Sequence, residues 1–313
     1  MILSFLMFEV FQIGRFFVWT HVVSLLIGVW MATEFLFRLA ERAQLSLQHF
    51  RDYAFQYFLA YLIGARMIAV VAEYRVYLKD PLRFFVVWDG NFSFLGGAIG
   101  VGIVLWFVTL HHRSTFLQWL DVLVPATTFG LVFDWMGRFA AGKAYGLPTD
   151  VPWGVTYDTF NVRYAVPIHP VQLYYVLFYA ILTLILLVIR KYARRAGAET
   201  LAGIVIASVG TMLLELCRGD FGISVFAKLL DFFILIALFL SLGILASIEL
   251  RLSKRGMMIY GSGLLLGCIL YIALRSWIPS PTIELRFSQF LALLALLMTV
   301  VYVIVQRRKH PHI

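Results

Sequence analysis

Apolar segments long enough to cross a bilayer recur along almost the whole chain, separated by short polar connections. A span needs about 20 mostly apolar residues. Windows of this kind lie at about 16–37, 54–73, 92–110, 116–136, 169–189, 200–217, 229–249, 256–274 and 287–306. The pattern predicts nine transmembrane helices and an all-α polytopic membrane protein.

One long stretch, Asp134 to Gln172, breaks this pattern in the middle of the chain. Charged residues, prolines and glycines interrupt every apolar run in it. An irregular backbone exposed to lipid would leave N–H and C=O groups unpaired at a cost of several kcal/mol each. We therefore expect this stretch to lie at the membrane surface or to line a polar cavity, as a shaped site and not a spacer.

The first fifteen residues, MILSFLMFEVFQIGR, lack the basic beginning and the small-residue cleavage site of a signal peptide. We expect them to be retained as an interfacial helix.

The composition agrees with a membrane protein, because 62% of the residues are hydrophobic and only 14% are charged. The formal net charge of +9 is typical of basic loops beside membrane spans, and no basic run belongs to a soluble fold, so we predict no nucleic-acid partner. The two cysteines, Cys217 and Cys268, both lie in apolar segments. They indicate no disulfide, metal or redox site.

Basic residues also predict the orientation. The loops around residues 38–51 and 190–195 carry dense clusters of Arg and Lys next to span ends, where the positive-inside rule is strongest. We therefore predict that the amino terminus and the central stretch face the periplasm or the cell exterior, and that the carboxyl terminus is cytoplasmic.

Several polar residues fall inside or beside predicted spans. Arg66 lies within the second span, where a charge is costly and usually functional, although an arginine can also snorkel to the interface. Asp89-Gly90-Asn91 precedes a glycine-rich span, and such glycines equally favour close helix packing. Glu215 and Arg218, three residues apart, can pair on one helix face or serve a cavity.

The central stretch is rich in residues that suit a phosphate. Arginine can bind a phosphate through two nitrogens and lysine can neutralise it as a point charge, although a solvated loop remains the alternative. His169 can act as a base or as a helix-entry residue. The polar members are Asp134, Arg138, Lys143, Tyr145, Asp150, Arg163 and His169.

Four motifs carry a resemblance to a known family. They are the IGARM segment, SFLGGAIG, YGLPTDVPWGV and HPVQLYY, in this order between about residues 16 and 249. In wording and order the chain resembles the prolipoprotein diacylglyceryl transferases of bacterial inner membranes. We therefore expect residues 1–250 to form a transferase-like membrane domain with a head segment at about 137–168, and residues 251–313 to add a transmembrane hairpin.

The resemblance implies a bundle of seven spans with a periplasmic head, here with about two extra spans. It implies transfer of the diacylglyceryl group of phosphatidylglycerol to the lipobox cysteine of a preprolipoprotein, with glycerol phosphate released. No metal or organic cofactor is implied, and the oligomeric state stays open. The reaction needs a base, cationic groups for the leaving phosphate and a groove for two acyl chains.

The resemblance and the polar residues together predict a site. The predicted catalytic residues are His169, Glu215 and Tyr145, and the predicted substrate-binding residues are Arg66, Arg138, Lys143, Arg218, Gly97, Gly146 and Gln172.

The chain departs from the family's pattern at several positions. Leu95 stands where the family has a histidine, Lys143 where it has an acidic residue, and Thr211 where it has an arginine. The family's early tyrosine corresponds to Thr20 or His21. Arg138 matches the family's arginine if a gap is allowed, and its asparagine without a gap.

Two other functions fit the sequence. A catalytically degenerate relative would keep the lipid groove and bind phospholipid or lipoprotein without transfer. A lipid or small-solute transporter would use the glycine-broken segments at a site near the membrane midplane.

Overall fold

The computed structural model of the chain describes residues 10–13, 15–86, 93–110, 113–159, 162–193, 195–248 and 254–309. These residues are mostly helical. The helices are α1 (Thr20–Arg42), α2 (Gln48–Asp52), α3 (Ala54–Ala72), α4 (Tyr74–Lys79), α5 (Phe94–Val108), α6 (Arg113–Ala140), α7 (Val171–Tyr192), α8 (Ala198–Leu214), α9 (Leu229–Ile248), α10 (Lys254–Leu274) and α11 (Phe287–Lys309). The strands are β1 (Val10–Ile13), β2 (Phe16–Trp19), β3 (Ser224–Lys228) and β4 (Thr282–Arg286).

Each of the nine apolar windows coincides with a helix, which confirms an all-α polytopic membrane protein. Within the described residues, six helices are long and apolar enough to cross a membrane: α1, α3, α6, α7, α8 and α11. The apolar parts of α5, α9 and α10 are shorter. The number of spans therefore stays a prediction.

The amino-terminal segment corrects one expectation. Residues 10–13 form a strand and not an interfacial helix, because β1 pairs antiparallel with β2 in the register Val10 to Trp19 and Ile13 to Phe16. Valine and phenylalanine occur in both strands and favour extended backbone. The first span consequently begins at Thr20 instead of 16, and residues 1–9 lie outside the described residues.

The chain divides into two compact units. The first comprises residues 1–206 and 216–223, and the second comprises residues 207–215 and 224–313. In the first unit, α6 packs against both α1 and α7, and α3 packs against α5. A buried hydrogen bond of 2.9 Å joins Thr128 Oγ1 of α6 to Thr183 Oγ1 of α7, and polar links of this kind hold helices together in an apolar surrounding.

A polar cluster links the start of α6, the end of α7 and the start of α8. These helix ends lie away from the 141–170 connection. The carboxylate of Asp121 accepts hydrogen bonds from Gly197 N at 2.6 Å and from Thr200 N at 2.8 Å. Arg190 donates to Glu199 Oε2 at 2.9 Å and to Asp121 O at 2.6 Å. Buried charges at this end are thus paired, as their burial requires.

In the second unit, α9 packs against α11, and β3 pairs antiparallel with β4. Asp231 at the start of α9 accepts two hydrogen bonds from Arg275, at 2.8 and 2.7 Å, and one from Lys228 N. Because α9 belongs with α11, the two units do not divide at residue 250. The predicted end of a transferase-like domain at that residue stays a prediction.

Candidate functional site

The connection between α6 and α7, residues 141–170, forms the head segment. Backbone hydrogen bonds join its parts: Val155 and Ile168 exchange both N–H···O bonds at 3.0 Å, and His169 N donates to Leu147 O at 3.0 Å. Tyr157 donates its hydroxyl to Phe139 O at 3.0 Å, and burial raises the pKa of this phenol, which keeps it a proton donor. The head is thus a fixed structure on the end of the helices.

Arg218 is held against this head by its backbone. Leu147 N donates to Cys217 O and Gly219 N donates to Tyr145 O, both at 2.9 Å, so Gly146 lies opposite Arg218. A side chain on Gly146 would meet His169 O. The predicted residues Tyr145, Gly146 and Arg218 therefore lie together, with the Tyr145 side chain buried.

The guanidinium of Arg218 is engaged by a neighbouring carboxylate. Its Nε and Nη2 donate to the two oxygens of Asp220 at 2.8 and 2.9 Å. A guanidinium bound through two nitrogens is fixed in direction, so Arg218 and Asp220 form a fixed ion pair next to the head.

His169, at the end of the head, has a partner in the first turn of α7. Its Nδ1 lies 3.1 Å from the hydroxyl of Tyr174, which also accepts a 2.8 Å hydrogen bond from Trp153 Nε1. The imidazole is therefore held in place by the first turn of α7.

A second cluster lies where α1 begins and α6 ends, and Asp134 is at its centre. Asp134 Oδ2 accepts from Arg138 Nε at 2.8 Å, one helical turn further on. Asp134 Oδ1 lies 3.2 Å from Nε2 of His21 in the first turn of α1. The exposed fractions of the side chains are 10% for Asp134, 19% for His21 and 36% for Arg138.

Aromatic rings support the cations of this cluster. The Arg138 guanidinium lies 5.1 Å from the centre of the Trp135 ring, and Trp135 stacks on Tyr175 of α7 at 3.9 Å. The Lys143 ammonium lies 5.9 Å from the Trp19 ring. Gln172, fully buried, donates to Lys143 O at 2.8 Å. These rings attract cations and limit their movement.

Arg66 is bound by backbone carbonyls, and its role in substrate binding stays a prediction. It is 4% exposed and donates to three backbone carbonyls, Arg83 O at 2.6 Å, Phe84 O at 3.0 Å and Val86 O at 2.9 Å. Its guanidinium also lies 5.4 Å from the Tyr77 ring. In the structure Arg66 holds the short turn at residues 81–86.

Two predicted residues remain, Gly97 and Glu215. Gly97 packs against the ring of Tyr61, which occupies the space of a side chain at that position. Glu215 belongs to the second unit, where its Oε2 lies 3.7 Å from Nε of Arg286. Asp89-Gly90-Asn91 lies outside the described residues. In the part of the chain that is described, no three His, Cys, Asp or Glu side chains form a metal site.

The sequence reasoning missed the contact between His21 and Asp134. The signal was present, because both residues fall in predicted apolar windows, and the rule that singles out Arg66 applies equally to them. What the sequence lacked was the pairing of α1 with α6, which brings together residues more than a hundred positions apart.

Chemically, the Asp134 cluster contains an imidazole, a carboxylate and two cations at one end of the first unit. Such a set can move a proton and bind an anion.

Comparison with known proteins places most of the chain in a family. Residues 9–260 match the model of the prolipoprotein diacylglyceryl transferase family. The phosphatidylglycerol–prolipoprotein diacylglyceryl transferase of Pseudoalteromonas atlantica is 32% identical over 195 residues, 60% of this chain and 67% of that protein.

Proteins of the same name are similar over shorter stretches. The one from Geobacter sulfurreducens is 34% identical over 170 residues, 53% of this chain and 64% of its own. The one from Polynucleobacter necessarius is 32% identical over 133 residues, 42% of this chain and 50% of its own. The chain thus spans about half to two thirds of the length of these curated relatives.

Proposed function

We propose that this chain, which belongs to the prolipoprotein diacylglyceryl transferase family, transfers the diacylglyceryl group of phosphatidylglycerol to a prolipoprotein. The acceptor is the thiol of the lipobox cysteine in the signal peptide of a preprolipoprotein. Sulfur attacks the glycerol carbon that bears the phosphate, the bond between that carbon and the phosphate oxygen breaks, and glycerol phosphate leaves.

The position of Arg138 is the observation that carries this proposal. Its Nε is bonded to Asp134, so the guanidinium is fixed, while 36% of the side chain is exposed. The two terminal nitrogens are therefore available for two oxygens of a phosphodiester, as arginine prefers. A preoriented cation stabilises the charge that develops on the leaving phosphate.

Two further cations lie in the head or beside it, and we assign them to the substrate phosphate as well. Lys143 is held near Trp19, and Arg218 is fixed beside Gly146 by the head backbone. Lys143 supplies positive charge where the resembled family has an acidic residue. Gln172 and Gly146 shape the backbone that carries these cations, and we assign them to substrate binding on this ground. Tyr145, beside Gly146, keeps its predicted catalytic role.

The substrates place the protein in the bacterial cytoplasmic membrane. Phosphatidylglycerol is a membrane lipid and the acceptor is a secreted precursor, so the head faces the periplasm and the carboxyl terminus the cytoplasm. The dense basic clusters at residues 38–51 and 190–195 support this orientation.

The decisive experiment is a mass-shift assay on the full-length protein. The protein is reconstituted in vesicles containing phosphatidylglycerol and incubated with a lipobox peptide, and the peptide is weighed for an added diacylglyceryl group. We expect product from the wild-type protein and a loss of about a hundredfold in rate for Arg138→Ala, the usual effect of removing one preoriented donor.

Arg38→Ala is the matched control. Arg38 also pairs with a carboxylate four residues away on its helix, Glu34 at 2.9 Å, but at the opposite end of α1. It is expected to keep the wild-type rate. Absence of product from the wild-type protein, in vesicles where another family member is active, would exclude the transfer.

One observation favours a second function. Leu95, in the first turn of α5, presents an exposed apolar side chain where the resembled family has a histidine, and an apolar group cannot take a proton. A relative that binds phospholipid or lipoprotein without transfer would show saturable binding of phosphatidylglycerol vesicles and no product in the same assay.

A further inference from the structure

Asp134 joins two groups of different chemistry through its two oxygens. Oδ1 contacts the imidazole of His21 at 3.2 Å and Oδ2 contacts the guanidinium of Arg138 at 2.8 Å. The Asp134 carboxylate therefore links a group that can accept a proton, His21, to a group that can bind an anion, Arg138.

The carboxylate determines which nitrogen of His21 carries the proton. A carboxylate bound to a guanidinium is ionised and can only accept hydrogen bonds, so Nε2 of His21 must donate. In the neutral imidazole this leaves the lone pair on Nδ1. A carboxylate that holds one ring nitrogen and so fixes the other as a base is the arrangement of the serine protease triad.

The second ring nitrogen of His21 is available. Among the described residues Nδ1 has no hydrogen-bond partner in the structure, and the side chain is 19% exposed. The other two described histidines use Nδ1 internally: His169 contacts the Tyr174 hydroxyl at 3.1 Å and His49 contacts the Tyr57 hydroxyl at 3.2 Å.

Helix packing keeps His21 in this position. Gly137 of α6 faces the start of α1, and a Cβ there would lie 3.2 Å from His21 Cα and 2.6 Å from Ser24 Cβ. Ser24 donates its hydroxyl to Phe133 O at 2.5 Å. The absence of a side chain at Gly137 thus lets α1 approach α6 closely enough for His21 to reach Asp134.

We propose that His21 is the general base that takes the proton of the acceptor thiol, with Asp134 as the residue that positions it. This inference rests on the proposed transfer. Leu95 stands where the resembled family has a histidine, and His21 of α1 supplies an imidazole in its place.

The step balances in atoms and charge. Nδ1 of His21 accepts the thiol proton, and the thiolate forms the S–C bond to the glycerol carbon as the C–O bond to the phosphate breaks. The electron pair of that bond leaves with glycerol phosphate, which Arg138 holds. The imidazolium then returns the proton to the phosphate, which leaves as a monoanion and restores the neutral histidine.

The test compares two acceptors in one enzyme preparation, a lipobox peptide with cysteine and the same peptide with selenocysteine. A selenol is ionised at neutral pH without help and so needs no base. His21→Gln is expected to lower the rate with the cysteine peptide by about a hundredfold or more, the usual contribution of general base catalysis. The rate with the selenocysteine peptide should fall by less than about tenfold.

The ratio of the two rates does not depend on how much of the variant is folded. Asp134→Asn should change this ratio in the same direction but by less, since it only misorients the ring. His49→Gln, which breaks the same kind of histidine contact at the other end of the first unit, should leave the ratio at its wild-type value.

Each outcome decides. A measurable His21→Gln rate that has fallen equally on both peptides, or no loss on the cysteine peptide, overturns the base and leaves the transfer intact. No product from the wild-type protein overturns both.

If His21→Gln is inactive on both peptides, the wild-type pH profile decides instead. Four titratable or charged groups lie near His21: Asp134, Arg138, Lys143 and Tyr61. Lys143 lies beside Trp19, and Tyr61 interacts electrostatically with Asp134. If a histidine is the base, the rate with the cysteine peptide stops rising at a pH below about 8.5, where a free thiol ionises. A rate that climbs through that pH overturns the proposal.

Discussion

At the scale of single residues, Arg66 shows how a correct signal can lead to an incomplete role. An arginine inside an apolar span usually has a specific role, and the sequence predicted phosphate binding as that role. The structure shows its nitrogens bound to the carbonyls of Arg83, Phe84 and Val86. Backbone carbonyls are invisible as partners in a sequence, because every residue has one.

His49 gives a prediction about pH. It lies in α2 between two spans, near Tyr57, Trp119 and Asp52. Burial lowers the pKa of His49 below its usual 6.5, and the charge of Asp52 opposes this only partly. The unfolded chain therefore binds more protons below pH 6.5 than the folded protein does.

We expect the folded protein to lose stability as the pH falls below about 6.5, through the lowered pKa of His49, and to gain nothing from this group above 6.5. Thermal unfolding in detergent between pH 8 and 5 measures the effect. His49→Gln should flatten this part of the profile. An unchanged slope in the variant would assign the loss to other groups.

At the scale of elements, glycines decide how closely helices approach. A side chain on Gly96 of α5 would meet Gly64 O of α3 and would lie 2.8 Å from Ile68 Cγ1. A side chain on Gly100 would meet Ala60 O. These contacts involve backbone, which cannot move aside, so the α3–α5 pair depends on both glycines.

Gly96→Ala should therefore destabilise the protein by about 1–3 kcal/mol, the usual cost of overpacking. Gly102→Ala is the matched control, since a Cβ at Gly102 meets nothing within 4 Å. Alanine favours helix over glycine by about 1 kcal/mol, so this variant should be neutral or slightly more stable. Unfolding temperatures in detergent compare the two, and equal shifts would contradict the packing argument.

The sequence predicted that the glycine-rich span allows close packing, but not which glycines. Gly96, Gly100 and Gly102 look alike in the sequence. They differ only in what lies opposite, and this depends on how α5 is rotated against α3.

At the scale of the whole molecule, the proposed orientation can be tested by labelling. Cys217 and Cys268 are first replaced by serine. Asp150→Cys then places a thiol in the exposed head segment, and Lys191→Cys places one at the far end of α7.

In spheroplasts, a membrane-impermeant maleimide should label the Asp150→Cys variant at once and the Lys191→Cys variant only after lysis, since a charged reagent does not cross the apolar core. The reverse pattern would invert the orientation and place the head in the cytoplasm.

The family and the position of the head were predictable from the sequence because their motifs are local. YGLPTDVPWGV and HPVQLYY each lie within one connection or one helix start, and Tyr145, Gly146 and Arg218 were named from them or from the apolar pattern. The role of Glu215 beside these residues stays a prediction, since it belongs to the second unit.

The sequence by itself determined that this is a helical membrane protein, where its helices lie, and which polar stretch forms the head, since hydrophobic period and chain breakers are local properties. Only the tertiary structure decided that the imidazole of His21 meets Asp134 and that Arg66 binds the carbonyls of a turn. The first contact arises because α1 packs against α6, and the second because the chain that follows α3 folds back onto it. In both, the partners are separated along the chain.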